Sequence, residues 1–204
     1  ALLGAGIAVG VTVGVGKSGA IQRMVLVGVA VSSLCSALTS IFLVVDEAQL
    51  ATVMSWLSGR LAGVRLSDIM PALIAVLVVV PLTLVGAKTL DLLVAGDAVA
   101  GAVGAKPERI RLAAIVAAVV LVAPSVAATG PIGFLGLMAA TVAWRVCGPH
   151  HRMGLCVAGI VGAAVLLVAD SVGQAIWAPA ETPVGIVTSL AGMPLVLWSV
   201  HTLG

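Results

Sequence analysis

Seven apolar runs separated by short charged linkers constrain this chain more than anything else in it. They lie at residues 2–15, 24–45, 69–87, 111–128, 132–147, 154–172 and 185–203. A helix that crosses a bilayer needs about 20 consecutive apolar residues, with about 17–25 as the range. All but the first and fifth runs reach that length. Their apolar character is continuous, whereas the strands of a membrane barrel alternate, so the spans are helices. Only 9% of the residues are charged and the mean hydropathy is +1.27. A soluble domain is about one-quarter charged, and water would not wet a surface this apolar. The fold class is therefore all-α, a polytopic bundle of transmembrane helices.

The two short runs have separate explanations. The fifth opens on TGPIG, which suggests a helix entering from a buried irregular loop. The first begins at Ala1 with no initiator Met, no basic region before it and no small-residue cleavage site. It is not a signal peptide, and the expectation is that a preceding part of a longer protein is missing.

The linkers alternate in charge. One side carries Lys17, Arg23, Lys88, Lys106, Arg109, Arg111, Arg145 and Arg152, with Asp91, Asp97 and Glu108. The other carries only Arg60 and Arg65, with Asp46, Glu47, Asp68 and Glu181. The positive-inside rule places the first side in the cytoplasm. The first run then heads inward, the C-terminus ends in the cytoplasm, and the chain crosses the cytoplasmic (inner) membrane many times.

Two linkers are long enough to hold structure. Residues 51–61 have helical propensity, with Trp56 in the middle, and Gly59 and Gly63 break the run; this reads as a short helix at the outer surface. Residues 92–112, LLVAGDAVAGAVGAKPERIRL, are too polar and Gly-rich to span. They divide into two short helices, one over about 92–103 with Gly104 as C-cap, the other starting near Pro107. A charged segment kept on one face usually has something to touch, and this one offers Asp97, Glu108, Arg109 and Arg111 to groups outside the chain, whether a partner or lipid phosphates.

Several motifs have simpler explanations. Gly14, Gly16 and Gly19 fit GxGxxG, but that fingerprint needs a preceding strand and a βαβ unit. Gly16-Lys17-Ser18 resembles the end of a phosphate loop, yet position 11 is Val11 where that loop needs glycine. His150-His151 reads as a solvated turn rather than a metal site, with His201 distant. Cys35, Cys147 and Cys156 show no ligand spacing, so no disulfide or metal is implied. Asp170 lies near the outer end of the sixth run, where capping and transport are both open readings. Gly10/Gly14, Gly159/Ala163 and the closer pair Gly133 and Gly136 suit close helix packing. No Ser, His and acid share a catalytic spacing, which argues against an intramembrane enzyme.

Five blocks in order then carry a resemblance: VLVGVAVSSLCSALTSIFLVV; WLSGRLAG; GDAVAGAVGAKPERIRL; ATGPIGFLGLMAATVAWRVCGPHHR; and LLVADSVGQAIWAPAETPVGIVTSLAGMPLVLW. The chain resembles the permease subunit of bacterial ABC importers for iron-siderophores, haem and cobalamin, over nearly its whole length. The resemblance implies a type II ABC importer permease fold, with about seven of the family's ten spans present in one domain over 1–204. It implies an outer gate helix at about 48–62 and a cytoplasmic coupling loop at about 92–111. It implies iron-siderophore (or haem, or cobalamin) transport driven by separate ATPase subunits, with no cofactor on this subunit. The implied partners are those ATPases, an extracytoplasmic binding protein, a second permease subunit and lipid, with no nucleic acid.

By this resemblance, Gly96, Asp97, Gly104, Pro107, Glu108 and Arg109 contact the ATPase. Trp56, Arg60, Arg65, Gln174 and Glu181 belong to the outer gate and binding-protein dock. Ser32, Ser33, Ser36, Thr39 and Ser40 line the pathway, or bond between helices, a reading equally open. Two positions depart from the family. Ala140-Thr141 stands where it commonly has Pro-His, with the following basic position at Trp144 or Arg145. Gln174 stands where it often has an outward arginine, which puts a salt-bridge dock there in doubt. An ion-coupled secondary transporter is the alternative; it predicts buried mid-membrane acids and inverted repeats, neither of which is clear here. A purely structural or assembly subunit is a further alternative.

Overall fold

The computed structural model describes residues 4, 6, 7, 10, 21–45, 50–177 and 183–203. The readings on the first run's other residues, on Gly14, Gly16 and Gly19, and on Glu181 lie outside the described residues. The described residues form helices α1 (Ile21–Val45), α2 (Leu50–Leu57), α3 (Leu66–Val94), α4 (Asp97–Ala102), α5 (Pro107–Thr129), α6 (Leu135–Cys147), α7 (His151–Trp177) and α8 (Val184–Leu203). Among them, four segments are long and apolar enough to cross a membrane: Leu26–Val44, Leu66–Val94, Pro107–Thr129 and His151–Ile176.

The chain divides into two compact units, Ala1–Ser55 and Trp56–Gly204. The first contains α1. Its hydroxyls turn back on their own helix: Thr39 Oγ1 donates to the Cys35 carbonyl (2.9 Å) and Ser40 Oγ to that of Ser36 (3.0 Å). Ser32, Ser33 and Ser36 are exposed along the same helix.

In the second unit α3 packs on α5 and on α7, α7 packs on α6, and α8 packs on both α6 and α7. Small side chains make the contacts. Ala75 and Ala87 on α3, Ala123 on α5, Ala139 and Ala143 on α6, and Ala169 on α7 are all buried. Large apolar side chains point away: Leu82 and Val85 on α3 are 69% and 82% exposed, and Ile160 on α7 is 71% exposed. This inverts a soluble core. Lipid tails are as apolar as leucine, so burying leucine between helices gains little, while a small residue lets two backbones approach. Gly192 shows this most sharply: a Cβ there would lie 2.6 Å from Phe134 Cβ.

Three boundaries differ from the sequence-based expectation. The outer short helix ends at Leu57, so Trp56 sits in its last turn rather than its middle. The segment 92–103 is not one helix: Leu92 to Val94 finish α3, and only Asp97–Ala102 form α4. Glycine is the reason, because Gly96 takes φ 101°, ψ 156°, a region no right-handed helix passes through. The helix that opens at Pro107 is not short, since it continues unbroken to Thr129. α6, with 13 residues, is too short to span. It starts from the non-helical stretch at 130–134 that TGPIG foreshadowed.

Candidate functional site

Antiparallel packing gathers the end of α3, all of α4, the start of α5 and the α6–α7 turn at one end of the second unit. Lys88, Lys106, Arg109, Arg111, Arg145 and Arg152 belong to these segments. The end of α2, the start of α3, the end of α5 and the start of α8 form the opposite end.

At the basic end, α4 stands apart as a helical turn and a half set off by glycine on both sides. Asp97 begins it, where a carboxylate favours the positive end of a helix. Gly104, at φ +82°, closes it: its N–H donates to the Gly101 carbonyl (3.0 Å), and the Ala105 N–H donates to that of Ala100 (3.0 Å). These two bonds make a Schellman cap, which needs a left-handed residue at this place. Pro107 then takes the first position of α5, where its missing N–H costs nothing.

One side of α4 rests on the bundle through Ala100, which is fully buried; Val99 and Val103 are 49% and 70% exposed. Unlike the outward leucines of α3 and α7, these valines lie among charged residues beyond the apolar spans. Arg111 Nη2 donates to Asp97 Oδ1 at 2.8 Å, tying α4 to the first turn and a half of α5. Both side chains are about half exposed, so the pair is worth only about 0–1 kcal/mol and its contribution is to orientation. Asp97 and Arg111, both read from sequence as facing outside groups, thus face each other. Glu108 and Arg109 are exposed on the same end.

A second link ties this end together, and nothing in the sequence singled it out. Asp91, in the last turn of α3, accepts two bonds on Oδ1: one from the His151 backbone N–H (2.9 Å), one from His151 Nδ1 (2.7 Å). His151 is the first residue of α7, whose opening N–H groups have no partner within the helix. Asp91 therefore caps α7 from another helix. His150 turns to the Cys147 carbonyl (3.3 Å). The adjacent histidines thus have separate structural partners. Replacing Asp91 by alanine is expected to cost about 1 kcal/mol, the usual value of an N-cap, and to lower the melting temperature in detergent.

At the opposite end three backbone stretches meet. The Arg60 N–H donates to the Thr129 carbonyl (2.8 Å), and the Trp56 indole Nε1 to that of Ala127 (3.4 Å). Trp56 is thus anchored to α5 rather than only lying at an interface. Glycines permit the approach: a Cβ on Gly59 would lie 2.8 Å from the Pro131 carbonyl oxygen, and one on Gly185 would lie 2.6 Å from that of Ser58. Beside this crossing opens an apolar cleft of about 720 Å³, lined by Leu57, Ser58, Phe134, Ser189 and Met193 among others. It offers hydroxyls but no charge. Arg65 caps α3 with Asp68, whose Oδ2 accepts the Arg65 N–H (3.1 Å). Gln174 Nε2 donates to Asp170 Oδ2 one turn before it (2.8 Å). That bond gives Asp170 a partner within α7.

The chain has recognisable relatives among known proteins. The model of the FecCD transport family matches residues 1–202. The chain is 36% identical over 177 residues to the iron(3+)-hydroxamate import permease FhuG of Bacillus subtilis, covering 86% of this chain and 53% of that protein. It is 34% identical over 177 residues to the Fe(3+) dicitrate transport permease FecD of Escherichia coli, covering 87% and 56%. It is 37% identical over 175 residues to the cobalamin import permease BtuC of Halobacterium salinarum, covering 86% and 47%. A solved metal-chelate type ABC transporter in an inward-facing conformation superposes with TM-score 0.85 at 29% identity, covering 93% of this chain and 62% of that one. The chain spans about half the length of the curated relatives it matches. A family match over nearly every residue, joined to relatives 34–37% identical to it, identifies this chain as a member of the FecCD transport family.

Proposed function

We propose that this chain forms part of the membrane-spanning permease of an ATP-driven importer, which carries an iron-siderophore or related chelate across the cytoplasmic membrane. The observation that carries the reading is α4: a glycine-bounded helix outside the spans, seated on Ala100 and tied to α5 by Asp97 and Arg111, that shows Val99 and Val103 outward. Apolar side chains in that position suit a groove on a soluble partner. A cytoplasmic ATPase is that partner in this reading. Its ATP-driven movements shift the permease between outward-open and inward-open states, and the chelate biases them only through its different affinity for each. The chain itself makes no covalent chemistry. A second permease subunit completes the pathway, and an extracytoplasmic binding protein delivers cargo at the end bearing the 56–60 crossing. The greater number of bases at the α4 end supports its placement in the cytoplasm.

Relatives are named for ferric hydroxamate, ferric dicitrate, hemin and cobalamin. A siderophore is the first choice of cargo. The test is uptake by proteoliposomes holding the transporter that contains this chain, assayed with ferric hydroxamate, ferric citrate, hemin and cobalamin, with and without ATP. ATP-dependent uptake of one chelate is expected. Uptake driven by an ion gradient without any ATPase would overturn the reading in favour of a secondary transporter.

A further inference from the structure

We propose that Asp91 and His151 are positioning residues that carry the displacement of α4 into α7; this rests on the reading of α4 as the ATPase-contacting helix. The geometry has three parts. Asp91 stands in the last turn of α3, and only Ala95 and Gly96 separate α3 from α4. The same carboxylate oxygen receives both the side-chain and backbone donors of His151 (2.7 and 2.9 Å), so the two helix ends are joined by two hydrogen bonds rather than one. His151 opens a 27-residue helix, long enough to bring movement at the basic end to the far side of the unit. Asp97 and Arg111 make the corresponding tie from α4 to α5 (2.8 Å). Movement of α4 therefore has two routes into the bundle, a weak one through α5 and one through the joined ends of α3 and α7.

Capping alone accounts for the bond from the backbone N–H. It does not account for the side-chain bond, which adds nothing to the unpaired donors of α7. Nδ1 fastens the α6–α7 turn to α3, and because an ionised carboxylate can only accept, Nδ1 is the donor in this bond.

The test uses the complete transporter, reconstituted with its ATPase and assayed with whichever of the four chelates the unaltered protein takes up. His151→Ala removes the ring donor but keeps the backbone bond, so α7 remains capped and the protein inserts. Its ATP-driven uptake is expected to fall at least about fivefold, as for a residue that carries coupling, while ATP hydrolysis without chelate changes less than about twofold. His151→Asn places an amide N–H near the position of Nδ1 and is expected to recover most of the uptake. Combining Asp91→Ala with His151→Ala is expected to lower uptake no further than Asp91→Ala alone, because the two act through one link.

Unchanged uptake in His151→Ala overturns the proposal. So does a loss that His151→Asn fails to repair, or a double variant whose loss is the product of the single losses. An unaltered transporter with no ATP-driven uptake overturns the proposed function and this inference together; normal uptake by both the unaltered protein and His151→Ala overturns the inference alone.

Discussion

Replacing Gly130 by alanine is expected to lower the yield of folded protein and its thermal midpoint sharply, the largest effect on stability among the described glycines. Gly130 adopts φ 76°, ψ 176°, a conformation that costs a residue with a Cβ about 1–3 kcal/mol. That Cβ would also overlap the Trp56 carbonyl oxygen and lie 3.2 Å from the Gly59 Cα. Both neighbours are backbone, so no side chain can rotate away. The 56–60 segment would have to lift off α5, breaking the bonds from Arg60 to Thr129 and from Trp56 to Ala127. Strain and lost bonds together exceed about 3 kcal/mol, against a total stability of about 5–15 kcal/mol. The check is the yield of monodisperse protein in mild detergent and its thermal midpoint. Gly63→Ala is the control: φ is also positive (78°), but nothing lies within 4 Å. Only the backbone term remains there, about 1–2 kcal/mol, so that variant should fold with a modestly lowered midpoint. Equal behaviour of the two variants would show that the crossing is not close-packed.

What the sequence revealed, and what it hid, divides by range. Apolar runs of sufficient length mark helices because every backbone group in lipid needs a partner inside its own segment. The bodies of α3, α5, α7 and α8 were therefore legible. Gly104 and Pro107 were legible too, because caps are local. The three-way contact around Gly130 and Pro131 is visible only as an irregular TGPIG loop, since Gly130 meets Trp56 and Gly59 while Pro131 meets Gly59 and Gly185. The Asp91–His151 link joins residues 60 apart and leaves no periodic trace; GPHHR invited only a choice between metal site and solvated turn. Asp97 and Arg111, 14 apart across a glycine turn, read in the sequence as open to outside groups because composition marks a charge as available without showing what satisfies it. The family resemblance located the segment but could not reveal its internal pairing.

The second large effect concerns transport rather than folding. Gly104→Pro is expected to reduce ATP-driven uptake to background while leaving membrane insertion intact. Proline fixes φ near −65°, whereas this position requires +82°. It also removes the N–H that bonds the Gly101 carbonyl and displaces the neighbouring bond from Ala105 to Ala100. A six-residue helix has almost no stability of its own, so without its cap α4 unwinds, and Val99 and Val103 no longer present one face. The spans on either side keep their packing, which is why insertion should survive. Gly101→Ala is the matching control: it lies inside α4 with open space around it, and alanine favours helix by about 1 kcal/mol, so uptake should persist. Charge reversal supplies a graded version. Asp97→Lys sets two cations against each other where a bond of 2.8 Å now stands; the pair is half exposed, so the expected loss of uptake is only a few-fold. Adding Arg111→Asp should recover part of it, because the pair is then restored with its signs exchanged. Normal uptake in Gly104→Pro would remove α4 from the transport mechanism, whatever its partner. Loss in Gly104→Pro with no recovery in the exchanged pair would keep α4 but assign Asp97 to a contact outside this chain.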